Sequence, residues 1–150
     1  MNTPPLPVQD RHSRTRRFGL FLTALSVAAV LYLTLYPFTF GLHYLHRAHR
    51  MGGVDAVLPS DVVANMLLFV PVGIGVAAWA WGSGVRGWPL YVLVQCFCTL
   101  LSLGVENLQV FLPRQPSVVD IITNTLGALL GYAFFRLWAF AQRTDDPEEA

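Results

Sequence analysis

Four long apolar segments constrain the fold of this chain more than any other feature. They cover residues 18–36, 62–81, 88–105 and 121–140, and the only formal charge inside them is Arg136. A helix of about 20 apolar residues crosses the hydrocarbon core of a bilayer. Only 13% of all residues are charged, against about 25% in soluble domains. The sequence therefore predicts an all-α membrane protein, a bundle of four transmembrane helices.

The arginine residues predict the orientation of this bundle. All ten basic residues are arginine; four precede the first segment, one lies between the second and third, and two flank the end of the last. The opposite side has only Arg47, Arg50 and Arg114. Because cytoplasmic loops carry the excess of positive charge, we expect both termini in the cytoplasm. The net charge of +1 gives no indication of nucleic-acid binding.

Three regions divide the chain. Residues 1–17 are basic and rich in proline, and residues 141–150 form an acidic C-terminal tail. We expect residues 1–17 and 144–150 to be disordered. Residues 18–140 form the membrane domain. Its longest connection runs from residue 37 to 60, a glycine-rich turn links the second and third segments, and residues 107–119 link the third and fourth. Cys96 and Cys98 are predicted to be packing residues, because their spacing points them to different faces of a helix.

A polar stripe runs along the third segment. Its members recur in steps of four and three, which places them on one helical face: Gln95, Thr99, Ser102, Glu106 and Gln109. Polar groups at membrane depth normally face a bundle interior or an aqueous cavity. The stripe thus indicates where the protein works. A transport path along it is the least favoured interpretation, because four helices leave little room for a lumen.

A short sequence motif is repeated at the start of the second and fourth segments. Residues 61–65 read Asp-Val-Val-Ala-Asn and residues 120–124 read Asp-Ile-Ile-Thr-Asn, each after a nearby Pro-Ser. Both segments run in the same direction across the membrane. The motif therefore suggests two helical hairpins related as a parallel repeat, with a chance coincidence as the alternative.

These motif residues have two interpretations. Asp61 and Asp120 can stabilise helix N-termini by accepting free backbone N–H groups, or they can serve a binding site. Asn65 and Asn124 lie one turn deeper, where an amide commonly forms hydrogen bonds between helices.

Glu106 is harder to explain because it lies at the C-terminal end of its predicted helix, where the helix dipole disfavours an anion. An ion pair with Arg114 would compensate. The alternative is a partly desolvated carboxyl that exchanges a proton with a ligand.

The fourth segment also has closely spaced glycines. Gly127 and Gly131 share a face with Asp120 and Asn124, and glycines at this spacing allow close helix approach. We expect this face to bring the two polar residues toward the stripe on the third segment.

Histidines occur at positions 43, 46 and 49 in the first long connection. Their spacing is poor for one helical face, and arginine and tyrosine lie between them. An interfacial loop helix in contact with lipid headgroups is the favoured interpretation, and metal binding is the alternative. No metal site and no cofactor is predicted.

Several motifs together resemble the VanZ-like family of small bacterial membrane proteins. They are Asn-Met-Leu-Leu-Phe-Val-Pro-Val-Gly at 65–73, Glu-Asn-Leu-Gln at 106–109, Pro-Arg at 113–114 and the Asp-to-Gly stretch at 120–131. The resemblance implies a protein of the bacterial cytoplasmic membrane, in a family named for an association with teicoplanin resistance. Some members have a Lys/His pair where this chain has Asp61 and Asn65, so no role of that pair is carried over.

These observations predict an extracytoplasmic polar pocket that binds the headgroup of a membrane lipid or lipid-linked cell-wall precursor. Chemical modification of that headgroup by the protein is an extension of the same hypothesis. Glu106 and Asp120 are the candidate catalytic residues. The candidate ligand-binding residues are Asp61, Asn65, Glu106, Gln109, Arg114, Asp120 and Asn124. The competing interpretation is a non-enzymatic accessory subunit that docks a larger membrane protein, and a homo-oligomer is compatible with either.

Overall fold

The computed structural model describes residues 8–44, 58–113 and 116–144. Within these ranges the chain forms four long α-helices, which we name α1 (Val8–Leu35), α2 (Pro59–Gly82), α3 (Gly87–Gln109) and α4 (Val118–Thr144). A short 3-10 helix, Leu42–Tyr44, follows α1. All four α-helices contain a stretch long and apolar enough to cross a membrane. The prediction of a four-helix transmembrane bundle is confirmed.

The first helix is longer than the apolar segment that predicted it. It begins at Val8, so residues 8–17, which composition assigned to a disordered tail, are helical. Arginine is a good helix former, and the side chains of Ser13 and Thr15 donate to carbonyls one turn earlier. The backbone of Arg16 also lies against Gly82. The hydrogen bonds within α1 and this contact with α2 support the extra turns. Residues 1–7 and 145–150 lie outside the described residues.

Helix α2 is the central helix, and α1 and α4 make the most extensive contacts with it. Glycines allow its backbone to approach α1 closely. A Cβ atom added at Gly75 would overlap Thr23, and one added at Gly19 would overlap the backbone of Trp79. Close backbone approach through small residues is the usual means of helix association in membranes.

The glycine face of α4 also packs on α2. A Cβ atom at Gly127 would overlap the carbonyl oxygen of Met66, and one at Gly131 would overlap that of Val70. The glycines themselves therefore contact α2, while Asn124 on the same face bonds to Ser102 of the α3 stripe, as the sequence predicted for it. Helix α2 offers Gly73 at the contact, whereas Gly104 of α3 has open space around it. Residue numbers rise together along the two contacting helices, from Gly127 and Met66 to Gly131 and Val70, so α2 and α4 run parallel.

Helix α3 completes the bundle on one side. It packs against α4 and α2 and touches α1, and its buried residues include Leu90, Val94 and Cys98. A tight turn joins it to α2, as predicted, with Gly84 at a φ of 93°. On the opposite side of α2, the arrangement leaves a gap between α1 and α4.

Candidate functional site

The polar residues singled out by the sequence collect at one end of the bundle, where α2 and α4 begin and α1 and α3 end. We call this the polar end. Asp61 and Asp120 are each the third residue of their helix, and Asn65 and Asn124 are each the seventh. The repeated motif therefore occupies the same position in both helices.

The packing of α2 on α4 brings the two motifs to similar depth. Gly127 lies against Met66 and Gly131 against Val70. If the same register continued to the start of both helices, Asp61 would lie within two residues of the position opposite Asp120. Two residues of helix correspond to about 3 Å. Both observations are consistent with a parallel repeat, which stays a prediction.

Glu106 caps the start of a neighbouring helix. Its side chain is 6% exposed, and its Oε2 accepts a hydrogen bond of 2.7 Å from the backbone N–H of Ser117. Ser117 immediately precedes α4, and its own carbonyl accepts from the N–H of Ile121. Ser117 is therefore the N-cap residue of α4, and the carboxylate of Glu106 lies at the positive end of that helix.

This contact resolves the difficulty that the sequence raised. Glu106 lies at the C-terminal end of α3, but it faces the N-terminus of α4, where an anion is stabilised. In a capping box, the N-cap N–H is received by an acidic or amide side chain three residues later in the same helix. Here Glu106 of another helix receives it. Arg114, the predicted ion-pair partner of Glu106, lies outside the described residues.

Asp120 is half-buried in the first turn of α4. A carboxylate at this position interacts favourably with the helix dipole, so the stabilising role proposed from the sequence is compatible with its place. Asp61 is in the first turn of α2 but is exposed, and it accepts a long hydrogen bond of 3.4 Å from Ser60. The two acids thus share a helical position and differ in burial.

Asn124 joins α4 to the polar stripe. Its Nδ2 donates to Ser102 Oγ at 2.9 Å, and both residues are buried. One turn deeper, the hydroxyls of Thr99 and Thr125 lie 3.3 Å apart. The predicted interhelical hydrogen bond of Asn124 is therefore present. Within the described part of the chain, Asn124 Oδ1 is buried without a hydrogen-bond partner.

Gln109 connects α3 to α1. Its side chain is 4% exposed, and its Nε2 donates to the carbonyl oxygen of Thr34 at 3.3 Å. Just beyond, the N–H of Gly41 donates to the carbonyl of Phe111 at 2.8 Å. The connections that follow α1 and α3 are thus held together at the polar end.

The polar stripe on α3 is therefore an internal seam. Thr99, Ser102 and Glu106 all bond to α4 or its N-cap, and Gln109 bonds to α1. Gln95, at the opposite end of the stripe, has a buried Nε2 for which the described residues supply no hydrogen-bond partner.

The structure brings most of the predicted site residues to the polar end. Glu106, Gln109 and Asn124 form a buried layer, and Asp120 lies at its edge. Asn65 is half-buried and Asp61 exposed at the same end.

The sequence analysis missed the roles of Ser117 and Thr34. The Ser-x-x-Asp pattern at 117–120 is a known N-terminal signature and could have identified Ser117 as the N-cap. The backbone carbonyl of Thr34 has no sequence signal.

Among the described residues there is no group of three or more His, Cys, Asp or Glu side chains able to hold a metal ion. His43 lies in the 3-10 helix, whereas residues 46 and 49 lie outside the described residues. The chemistry available at the polar end is therefore that of carboxylates, amides, hydroxyls and helix N-termini.

Comparison with known proteins identifies the family. The model of the VanZ/LLP1 family matches residues 12–139, a range that reaches from the first transmembrane helix into the last turns of the fourth. No curated protein and no solved structure matches the chain. The family match covers most of the sequence and agrees with the multi-pass membrane fold. The chain is therefore a member of the VanZ/LLP1 family.

Proposed function

We propose that the polar end binds the headgroup of a membrane lipid or of a lipid-linked cell-wall precursor, on the outer face of the bacterial cytoplasmic membrane. The observation that carries the proposal is the burial of Glu106 with Gln109 and Asn124 around the start of α4. Ionisable groups inside membrane proteins are costly and commonly mark a functional site. The arginine distribution supports the assignment of this end to the outer face.

Burial divides the proposed site into two layers. Asp61 is exposed, and Asn65 and Asp120 are half-buried, so these three can reach a ligand at the membrane surface. The buried layer of Glu106, Gln109 and Asn124 fixes the helices that carry them. Arg114, which lies in the connection between α3 and α4, is proposed from the sequence as the partner of a phosphate group.

The charges of the site favour a headgroup with both signs. Asp61 and Asp120 provide carboxylates for an ammonium group, while the positive ends of α2 and α4 attract a phosphate. A zwitterionic or amine-bearing phosphate headgroup combines the two. The same helix-terminus chemistry holds anionic groups in other membrane proteins with binding sites between helices.

The hydrogen bonds of the seam favour ligand binding over the accessory-subunit interpretation. That interpretation requires the polar stripe to face a partner protein. Ser102, Glu106 and Gln109 instead are buried and bond to other helices of the same chain. A partner would have to dock on other surfaces.

Modification of the headgroup would place different demands on the two acids. Glu106 is engaged with a backbone N–H below the surface, whereas Asp120 is half-buried at the edge of the site. Asp120 is the better placed of the two to contact a reacting group. By the family resemblance, the physiological consequence of binding would be tolerance to teicoplanin.

Lipid mass spectrometry of the gently purified protein tests this proposal. Asp120→Asn removes the charge with little change in shape, and Asp10→Asn makes the same change at the other end of the bundle. We expect a headgroup class that co-purifies with the wild type and with Asp10→Asn, and is lost from Asp120→Asn. Teicoplanin tolerance should follow the same order. Identical lipid profiles for all three proteins would contradict the proposal.

A further inference from the structure

A second, apolar site lies at the opposite end of the bundle from the polar end. The gap between α1 and α4 forms a groove of about 540 Å³, with Ile74 and Ala78 of α2 at its base. Aromatic side chains form much of its wall: Phe18, Phe134, Phe135 and Trp138. Among the residues that the structure describes, Arg14 is the only charged one that lines it.

We propose that this groove binds one acyl chain of an anionic phospholipid, with the phosphate of that lipid on Arg14. The proposal concerns a site separate from the polar end and does not depend on the proposed function.

The size of the groove favours an acyl chain over a protein helix. A helix with its side chains is about 10–12 Å wide and rises 5.4 Å per turn, so a volume of about 540 Å³ holds only about one turn. An acyl chain is thinner and flexible. The almost wholly apolar wall suits a hydrocarbon, which would be shielded there from the rest of the bilayer.

The charge at the rim selects the headgroup. Arg14 lies four residues before Phe18 on α1, about 6 Å along the helix, which places the guanidinium above the apolar wall. Arg11, Arg16 and Arg17 lie on the same turns of α1 and add to the positive potential. Guanidinium groups bind phosphate in a bidentate geometry. A lipid with net negative charge therefore fits this rim better than a zwitterionic lipid.

The test is lipid retention in nanodiscs of phosphatidylcholine that contain phosphatidylglycerol, followed by native mass spectrometry. Arg14→Gln removes the proposed phosphate contact. Arg17→Gln removes the same charge from an exposed residue that does not line the groove. We expect Arg14→Gln to retain phosphatidylglycerol about fivefold less well, and Arg17→Gln, which lowers the general positive potential but removes no phosphate contact, to lose about twofold or less. Equal losses in both variants, or no preference for phosphatidylglycerol in the wild type, would overturn the proposal.

A second measurement places the chain in the groove. Trp138 lines the groove, so phosphatidylglycerol with brominated chains should quench its fluorescence more than brominated phosphatidylcholine does. The difference between the two lipids should disappear in Trp138→Phe, which leaves the other tryptophans in place. A difference that persists in this variant would show that the anionic lipid binds elsewhere.

Discussion

The hydrogen bond between Glu106 and the N-cap of α4 makes a quantitative prediction. In Glu106→Ala the partly buried backbone N–H of Ser117 loses its acceptor, and a donor left unpaired in such a place costs about 1–3 kcal/mol. The loss of a carboxylate at a helix N-terminus adds about 0.3–2 kcal/mol. Because the side chain is 6% exposed, its removal also leaves a cavity. We expect a total loss of about 3–5 kcal/mol in the free energy of unfolding.

Glu106→Gln separates the hydrogen bond from the charge. The amide keeps an acceptor oxygen for the N–H of Ser117 and keeps the volume of the side chain, so only the charge is lost. We expect a cost of about 1 kcal/mol. Asn107→Ala is the matched control, because Asn107 is the exposed neighbour on the same helix and its side chain donates within α3, to the carbonyl of Leu103. Its loss should be about 0.5 kcal/mol or less.

The assay is reversible unfolding of the purified protein in mixed micelles, with hydrogen exchange as the local readout. Exchange of the Ser117 amide should accelerate strongly in Glu106→Ala and modestly in Glu106→Gln, whereas amides in the middle of α2 should follow global stability alone. If Glu106→Gln is as destabilising as Glu106→Ala, the charge and not the hydrogen bond dominates. If neither variant changes the Ser117 amide, the capping contact does not hold the start of α4, and the reasoning is refuted.

Three further predictions concern packing, the seam and topology. Gly131→Leu should destabilise the bundle by about 1–3 kcal/mol or more, since it overlaps α2, whereas Gly104→Ala, in open space, should be neutral or slightly stabilising in the same unfolding assay. A double-mutant cycle of Asn124→Ala and Ser102→Ala should give a coupling of about 0.6–1.7 kcal/mol, and a coupling near zero would argue against their hydrogen bond. Ser60→Cys, in a background without the native cysteines, should react with a membrane-impermeant thiol reagent in intact cells; labelling only after lysis would reverse the orientation.

Local patterns predicted the elements of this fold well. Each apolar segment became a membrane-spanning helix, because length and hydropathy decide this within a single segment. The helical periodicity of the α3 stripe also placed its polar side chains on one buried face. The extension of α1 back to Val8 was missed, since it depends on contacts between that segment and the end of α2.

The partners of the candidate site residues could not be read from local patterns. The spacing of Gly127 and Gly131 predicted a close helix contact but not which helix would provide it, because that choice depends on the small residues of α2. Similarly, the position of Glu106 at the end of its own helix suggested an unfavourable environment. Only the packing of α3 beside α4 shows that the carboxylate meets the favourable end of another helix.

The cap that Glu106 provides has a consequence for the order in which the protein assembles. Membrane helices leave the ribosome in sequence, and α1 and α2 can pack together as soon as both are inserted, because their contacts need no later segment. The first turn of α4 is completed by a residue of α3, so α4 reaches its final form only when α3 is beside it. We therefore expect the second hairpin to join the first as a preassembled pair, with the glycines of α2 as the template for docking. A chain that ends after α2 should insert and fold, whereas one that lacks α3 should leave α4 incompletely wound at its start.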